Sequence, residues 1–145
     1  MGTPTGLRLY TTPQLLALEE RVLTAVAAGF GTGRGVVDDA TIVIAIAAHE
    51  NTTGGRLGED QRAMVTAVCA SGDAVQCVLG PAGSGKTYAL AAAAHAWRQA
   101  GFTVWGASVN GTAAEQLARA TAIPTRTVAS LLNRLDLANH QVLTD

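Results

Sequence analysis

At 145 residues, 48% of them apolar, the chain is long enough for one ordinary domain with a buried core. Ten basic residues against eleven acidic ones leave a formal net charge of -1, which excludes an all-over basic surface for gripping nucleic acid; any such contact must be local. The two cysteines, Cys69 and Cys77, lack the close-spaced Cys/His pairs of a zinc site, and nothing suggests a secreted disulfide scaffold, so both are read as buried thiols.

The N-terminal stretch MGTPTGLRLY has no apolar signal core, and the longest apolar run, residues 42–48, is far too short to span a bilayer, so the cytoplasm is expected. Thr11, Thr12 and Pro13 then predict a helix start, because a Thr hydroxyl can cap free backbone N–H groups and Pro at the first helical position loses no bond. Leu15, Leu18, Val22 and Val26 recur at helical spacing, with Glu19, Glu20 and Arg21 off that stripe, until Gly29. GFGTGRG, residues 29–35, reads as a flexible turn, since its glycines have neither a preceding strand nor a following Lys-Ser/Thr. Asp38 or Asp39 can cap a second helix through about His49, although Thr41, Ile42, Val43, Ile44 and Ile46 are β-branched and suit a buried strand as well; helix is preferred. NTTGGR, residues 51–56, reads as a linker, and a boundary there divides 1–55, an N-terminal helical segment, from 56–145.

The second part alternates regularly. A helix is predicted over residues 59–70, with Ala63, Met64, Ala67, Val68 and Ala70 on its apolar side and Ser71-Gly72 as its stop. Residues 74–79 form a short apolar run, as expected of a strand buried on both faces. After a glycine-rich loop, residues 84–100 predict an alanine-rich helix, 102–107 a second strand, 112–121 a further helix and 127–135 one more. Such alternation implies an α/β fold, a parallel sheet covered by helices.

The loop between the first strand and its helix, GPAGSGKT at residues 80–87, matches GxxxxGK[ST] in full through Gly80, Gly85, Lys86 and Thr87. Gly80, Gly83 and Gly85 let the backbone come close to phosphates without a Cβ in the way, while Pro81, Ala82 and Ser84 complete the loop, whose successive N–H groups, absent only at Pro81, can point at anionic oxygens. The helix that begins there adds its positive end. Lys86 is the residue for the β- and γ-phosphates and Thr87 the hydroxyl for Mg²⁺. After Lys86 the acids are Glu115, Asp136 and Asp145, and none follows an apolar strand where it would hold Mg²⁺ or orient water. The residues therefore predict nucleotide binding with little capacity for hydrolysis.

Three segments carry a resemblance to a known family: LGEDQ at 57–61, the loop at 80–87, and GASVNGTAAEQLARATAIPTRTVASLL at 106–132. From residue 57 to 132 the chain resembles the helicase part of MobF-type conjugative relaxase-helicases, superfamily 1 motors of the RecD-like kind. The resemblance implies a partial P-loop NTPase (RecA-like) parallel sheet flanked by helices and preceded by an N-terminal helical segment. It implies ATP and Mg²⁺ as cofactors, and single-stranded DNA and the remainder of a relaxase-helicase as partners. Gln61 looks like the glutamine that reads the adenine edge; without the resemblance it would be a solvated helix residue. Ser108, Asn110, Gly111 and Thr112 resemble the motif that touches the backbone of single-stranded DNA, whereas Thr112 by itself reads as a helix cap. Residues 10–22 are similar to the short helical segment that precedes the motor. Gly58 departs from the usual hydroxyl cap. The acidic Mg²⁺ motif, the arginine finger, the second RecA-like domain and the histidine-rich nuclease domain are not found, and the last residues, VLTD, are similar to those just before the strand with the Mg²⁺ acids. The expectation is a fragment that binds ATP but does not unwind DNA alone. A small P-loop kinase, or a non-catalytic nucleotide-binding remnant, is the alternative.

His49, His95 and His140 have no partner spacing for a metal or triad and are read as structural or solvated. Tyr10 lacks the flanking histidines of a relaxase nucleophile and reads as packing. Trp97 and Trp105 are read as core aromatics rather than a base-stacking platform, and Arg119, Arg126 and Arg134 as either a small basic face or solvated arginines.

Overall fold

The computed structural model describes residues 11–142, with side chains through Leu135; Tyr10 and the terminal VLTD motif lie outside the fully described region. Helix α1 (Pro13–Ala28) begins as its residues predict, the Thr12 hydroxyl accepting from Leu15 N at 3.2 Å and Pro13 filling the first helical position. None of its residues is buried; Leu15, Leu18 and Val22 stand about half exposed. The glycine turn that follows is strapped to the chain around residue 72: Gly31 N donates to Asp73 Oδ1 at 2.7 Å and Arg34 N to Gly72 O at 3.0 Å.

The β-branched stretch is helical, α2 (Asp39–Thr53), with the Asp38 carboxylate accepting from the Thr41 amide and hydroxyl. Those two bonds hold Asp38 below the usual carboxylate range. The expected linker is shorter than NTTGGR suggests, because the Thr52 and Thr53 hydroxyls bond back to the Ala48 and His49 carbonyls and let the helix run on to Gly54, whose left-handed backbone ends it. Helix α3 (Glu59–Ala70) starts at Gly58, where the Gln61 side chain accepts from the Gly58 amide, the one half of a capping box that survives without a hydroxyl at 58. Arg62 and Leu57 N converge on Glu50 at 2.6 and 2.7 Å, tying α3 to α2 and lowering the Glu50 pKa, the Leu57 bond first.

Helix α4 (Lys86–Gln99) is the centre of the molecule. Its alanines Ala89, Ala92, Ala93 and Ala96 are fully buried and join Ile42, Ala45 and Ile46 of α2 and Val65 and Cys69 of α3 in one core cluster. With methyl groups in place of large side chains, three helices approach closely along their lengths. Trp97 packs at the edge, its indole N–H donating to Gly35 O at 2.8 Å. Cys69 is buried here, and burial pushes its thiol up to about 11. Cys77 is exposed, which corrects the reading of two buried thiols. Titration of the native protein with a thiol reagent near neutral pH is therefore expected to modify Cys77 rapidly and Cys69 only on unfolding; equal rates would contradict the packing of α3 on α4.

The sheet is smaller than predicted. Strands β1 (Gly106–Ser108) and β2 (Thr125–Thr127) pair in parallel, Ala107 opposite Arg126, with α5 (Gly111–Thr121) as the crossover. Residues 74–79 are not a strand: no described backbone group pairs with 75–79, and Val75 and Leu79 are 45% and 93% exposed. A strand exists only through a hydrogen-bonded lateral neighbour, and no described strand pairs with this one. For the same reason the expected strand at 102–107 pairs only at its end, where three residues of β2 face it. The strand β2 itself escaped the sequence reading because three residues carry no period. Thr127, expected to open a helix, ends β2 and caps α6 (Val128–Val142), its hydroxyl accepting from Ser130 N at 3.2 Å.

Candidate functional site

The loop at 80–87 folds over the N-terminus of α4. Gly83 and Gly85 have φ of +77° and +75°, a left-handed backbone that glycine adopts without strain. Gly85 is the N-cap of α4, so the helix opens at Lys86 and not at Ser84, and the first-turn amides of α4 have no acceptor within the helix. A Cβ at Gly85 would displace the Gln61 amide from the loop, and the left-handed backbone there strains any residue but glycine. The Lys86 ammonium donates to Gly80 O at 2.6 Å and Pro81 O at 2.7 Å, with Ser84 Oγ at 3.4 Å. It is thus held over the loop by neutral oxygens, ready to exchange them for anionic ones. Thr87 is exposed beside it at the helix start.

Gln61, 23 residues earlier in the chain, is brought against this loop. Its Nε2 donates to Ser84 O at 2.9 Å while its Oε1 accepts from Gly58 N at 2.9 Å. Each half of the amide keeps one further hydrogen-bonding position. A cleft of about 200 Å³ opens between Gln61 and Met64 on one side and Gly80, Pro81, Ser84 and Lys86 on the other, with Asp60 on its rim. Asp60 and Tyr88 were missed in the sequence. Tyr88 follows Thr87 directly and its hydroxyl lies 2.7 Å from Thr53 Oγ1. Since Thr53 donates its proton to His49 O, Tyr88 is the donor in that pair. The His49 ring packs against Tyr88 at a tilt of 48°, with centroids 4.6 Å apart, and its buried Nε2 has no partner among the described residues. Burial first, and then nearby His95, lowers the His49 pKa. The start of α4 is thereby pinned to the end of α2 by residues whose spacing gives no signal.

Ser108 ends β1, and Asn110, not Thr112, caps α5, its Oδ1 accepting from Ala113 N at 2.8 Å. The extended backbone at Asn110 places the cap two residues before the expected one, and Gly111 and Thr112 are exposed in the first turn. The four residues do come together at one helix N-terminus. The AAA domain model matches residues 56–145, which takes in Gln61, the glycine loop and this second helix start.

The chain belongs to the AAA-domain family. Within it, this AAA domain is of the P-loop, RecD-like helicase kind that MobF-type relaxase-helicases carry. It is 42% identical over 77 residues to the conjugal transfer protein TraA of Agrobacterium fabrum, covering 52% of this chain and 7% of that protein. It is 34% identical over 130 residues to a probable conjugal transfer protein TraA of Sinorhizobium fredii, covering 87% and 11%. To the TraA of Rhizobium radiobacter it is 41% identical over 75 residues, 52% of this chain and 7% of that one. The chain thus spans about a tenth or less of these relatives' length. No solved structure matches it.

The AAA domain implies a nucleotide, and the residues fit one: free helix amides, left-handed glycines that admit close approach, one ammonium and one exposed hydroxyl at a single helix start. A bound Mg²⁺ would supply charge neutralisation between phosphate oxygens, with Thr87 as its protein hydroxyl. Among the described residues no group of three or more His, Cys, Asp or Glu is placed to hold a metal. No described helix is long and apolar enough to cross a membrane.

Proposed function

We propose that the chain is the ATP-binding portion of a DNA helicase or translocase motor of the conjugative relaxase kind, residues 56–145 carrying the site. The observation that carries this is the placement of Gln61 against the loop: one amide touches Ser84 O and faces the cleft that holds Lys86. An adenine edge offers a donor and an acceptor side by side, which the remaining N–H and lone pair of Gln61 can meet while Lys86 and the α4 amides take the phosphates. The exposed helix start at Ser108, Asn110, Gly111 and Thr112 suits the backbone of single-stranded DNA, with hydroxyls, an amide and helix N–H groups in one place. Neither β1 nor β2 runs into an acid, which supports binding of ATP-Mg²⁺ without efficient hydrolysis or unwinding by these residues alone. Conjugal transfer, the process named for the TraA relatives, is the setting this reading favours.

The test is thermal unfolding with ATP or GTP and Mg²⁺. At a hundred times its dissociation constant ATP adds about 2.7 kcal/mol, which for a chain of this size raises the midpoint by roughly 5 °C or more. ATP is expected to stabilise more than GTP, and Gln61→Ala to erase that difference while leaving a response to both. Equal shifts with the two nucleotides in the native chain would sink the adenine role of Gln61.

A further inference from the structure

The two tryptophans part company in the fold. Trp97 is engaged with Gly35, whereas Trp105, expected in the core, is 44% exposed just before β1. Strand alternation puts Trp105 on the same face of the parallel pair as Ala107, and the register sets Arg126 of β2 opposite Ala107. Arg134, from α6, comes over from the next element. Both guanidinium carbons lie against the indole, Arg126 at 5.9 Å and Arg134 at 5.5 Å from its centroid. Leu131 and Leu135 extend the patch as a shallow apolar groove beside Arg134.

Within residues 51–145, this is where positive charge is left uncommitted among the described residues. Of the seven basic residues after residue 50, Lys86 belongs to the loop, Arg62 is paired with Glu50 and Arg119 with Glu115. Arg98 donates to Ala122 O, and Arg56 lies close enough to Glu50 to act on its charge. Arg126 and Arg134 remain; both are exposed, and no described carboxylate pairs with either. Two cations gathered at one ring repel each other, and an anion placed between them relieves that repulsion. An exposed indole offers a stacking face, and guanidinium groups bind phosphate by paired N–H bonds. A ligand that carries flat rings and anions at regular intervals satisfies all three groups at once.

We propose that Trp105, Arg126 and Arg134 form a contact for single-stranded nucleic acid, the guanidinium groups swinging off the ring to the flanking phosphates as one base stacks on the indole face they vacate. The proposal rests on the reading that this domain handles DNA, and adds to the helix start at Ser108 a second contact on the face of the sheet. A duplex does not fit, because its bases are already stacked. In a chain with a net charge of -1, a patch of this kind supplies the local attraction that overall charge does not.

With Trp97→Phe, Trp105 becomes the sole tryptophan of the chain. Titration with a short oligodeoxythymidylate is expected to quench its fluorescence. In the otherwise native chain, binding of a labelled oligodeoxythymidylate, followed by anisotropy, is expected to weaken about tenfold in Arg126→Gln/Arg134→Gln, with the log-log salt slope falling by about 1.4. These exposed arginines can be replaced without touching the core, so loss of the fold does not mimic the result. Unchanged affinity in the double variant, absence of quenching, or equal competition by duplex DNA or by polyglutamate would each overturn the proposal. If Asn110→Ala weakens binding while the double variant does not, the patch falls and the DNA reading of the helix start stands. If no strand binds, the patch falls, and the ATP-induced rise in midpoint still tests the nucleotide site separately.

Discussion

Replacing Lys86 with alanine is expected to remove almost all of the stabilisation that ATP-Mg²⁺ confers. The ammonium is the chain's only lysine and, among the described residues, the one cation within hydrogen-bond reach of the loop oxygens Gly80 O and Pro81 O. A charge-assisted hydrogen bond is worth about 1.5–3 kcal/mol, so its loss weakens the nucleotide about 10- to 150-fold. At a ligand concentration that gives the native protein about 2.7 kcal/mol, a hundredfold weaker variant gains only about 0.4 kcal/mol, a shift of about 1 °C. The apo protein changes little, since the lysine's partners are loop carbonyls that water can reach. A native-sized ATP shift in Lys86→Ala would mean that nucleotide binds elsewhere.

The second large effect is expected from a residue far from the loop. Ile42 in α2 is 1% exposed and packs in the same cluster as Ala89, Ala92 and Ala93 of α4. Ile42→Ala removes three carbons from a site closed by helices on several sides, and such changes cost about 2–5 kcal/mol. Against a total of about 5–15 kcal/mol this is a large share, and the midpoint is expected to fall by roughly 10 °C. Because α4 opens in the phosphate loop, and Tyr88 at its start is held by Thr53 and His49 of α2, the ATP shift should shrink as well. An unchanged midpoint for the nucleotide-responsive transition would mean that the N-terminal helices fold as a unit apart from the site. The experiment thus also asks whether a boundary at residue 55 has any energetic meaning.

The local elements were legible where a side chain acts on its own neighbours. Thr12 with Pro13, Gly29, Asp38 and the turn at Ser71-Gly72 announce helix ends because a cap is a contact within four residues. The glycine loop that opens α4 was legible for the same reason: its glycines, lysine and helix start are consecutive. Position failed where pairing was needed. Residues 74–79 have the composition of a buried strand, yet they find no neighbour among the described residues and leave Cys77 exposed. The three residues of β2 have no pattern at all and become a strand because β1 lies beside them. Asn110 took the cap expected of Thr112, a difference of two residues that only the backbone angles decide.

By itself, then, the sequence determined where the helices lie, though not all their ends, the glycine loop at the start of α4 and the kinship with RecD-like motors, since each is written in residues a few positions apart. Tertiary structure alone decided that Gln61 touches Ser84, that Tyr88 hangs from Thr53, and that Trp105 stands outside the core between Arg126 and Arg134. These pairs are 23, 35, 21 and 29 residues apart respectively, and contacts across such distances are set by how helices and strands stack around the alanine face of α4, which no local spacing encodes.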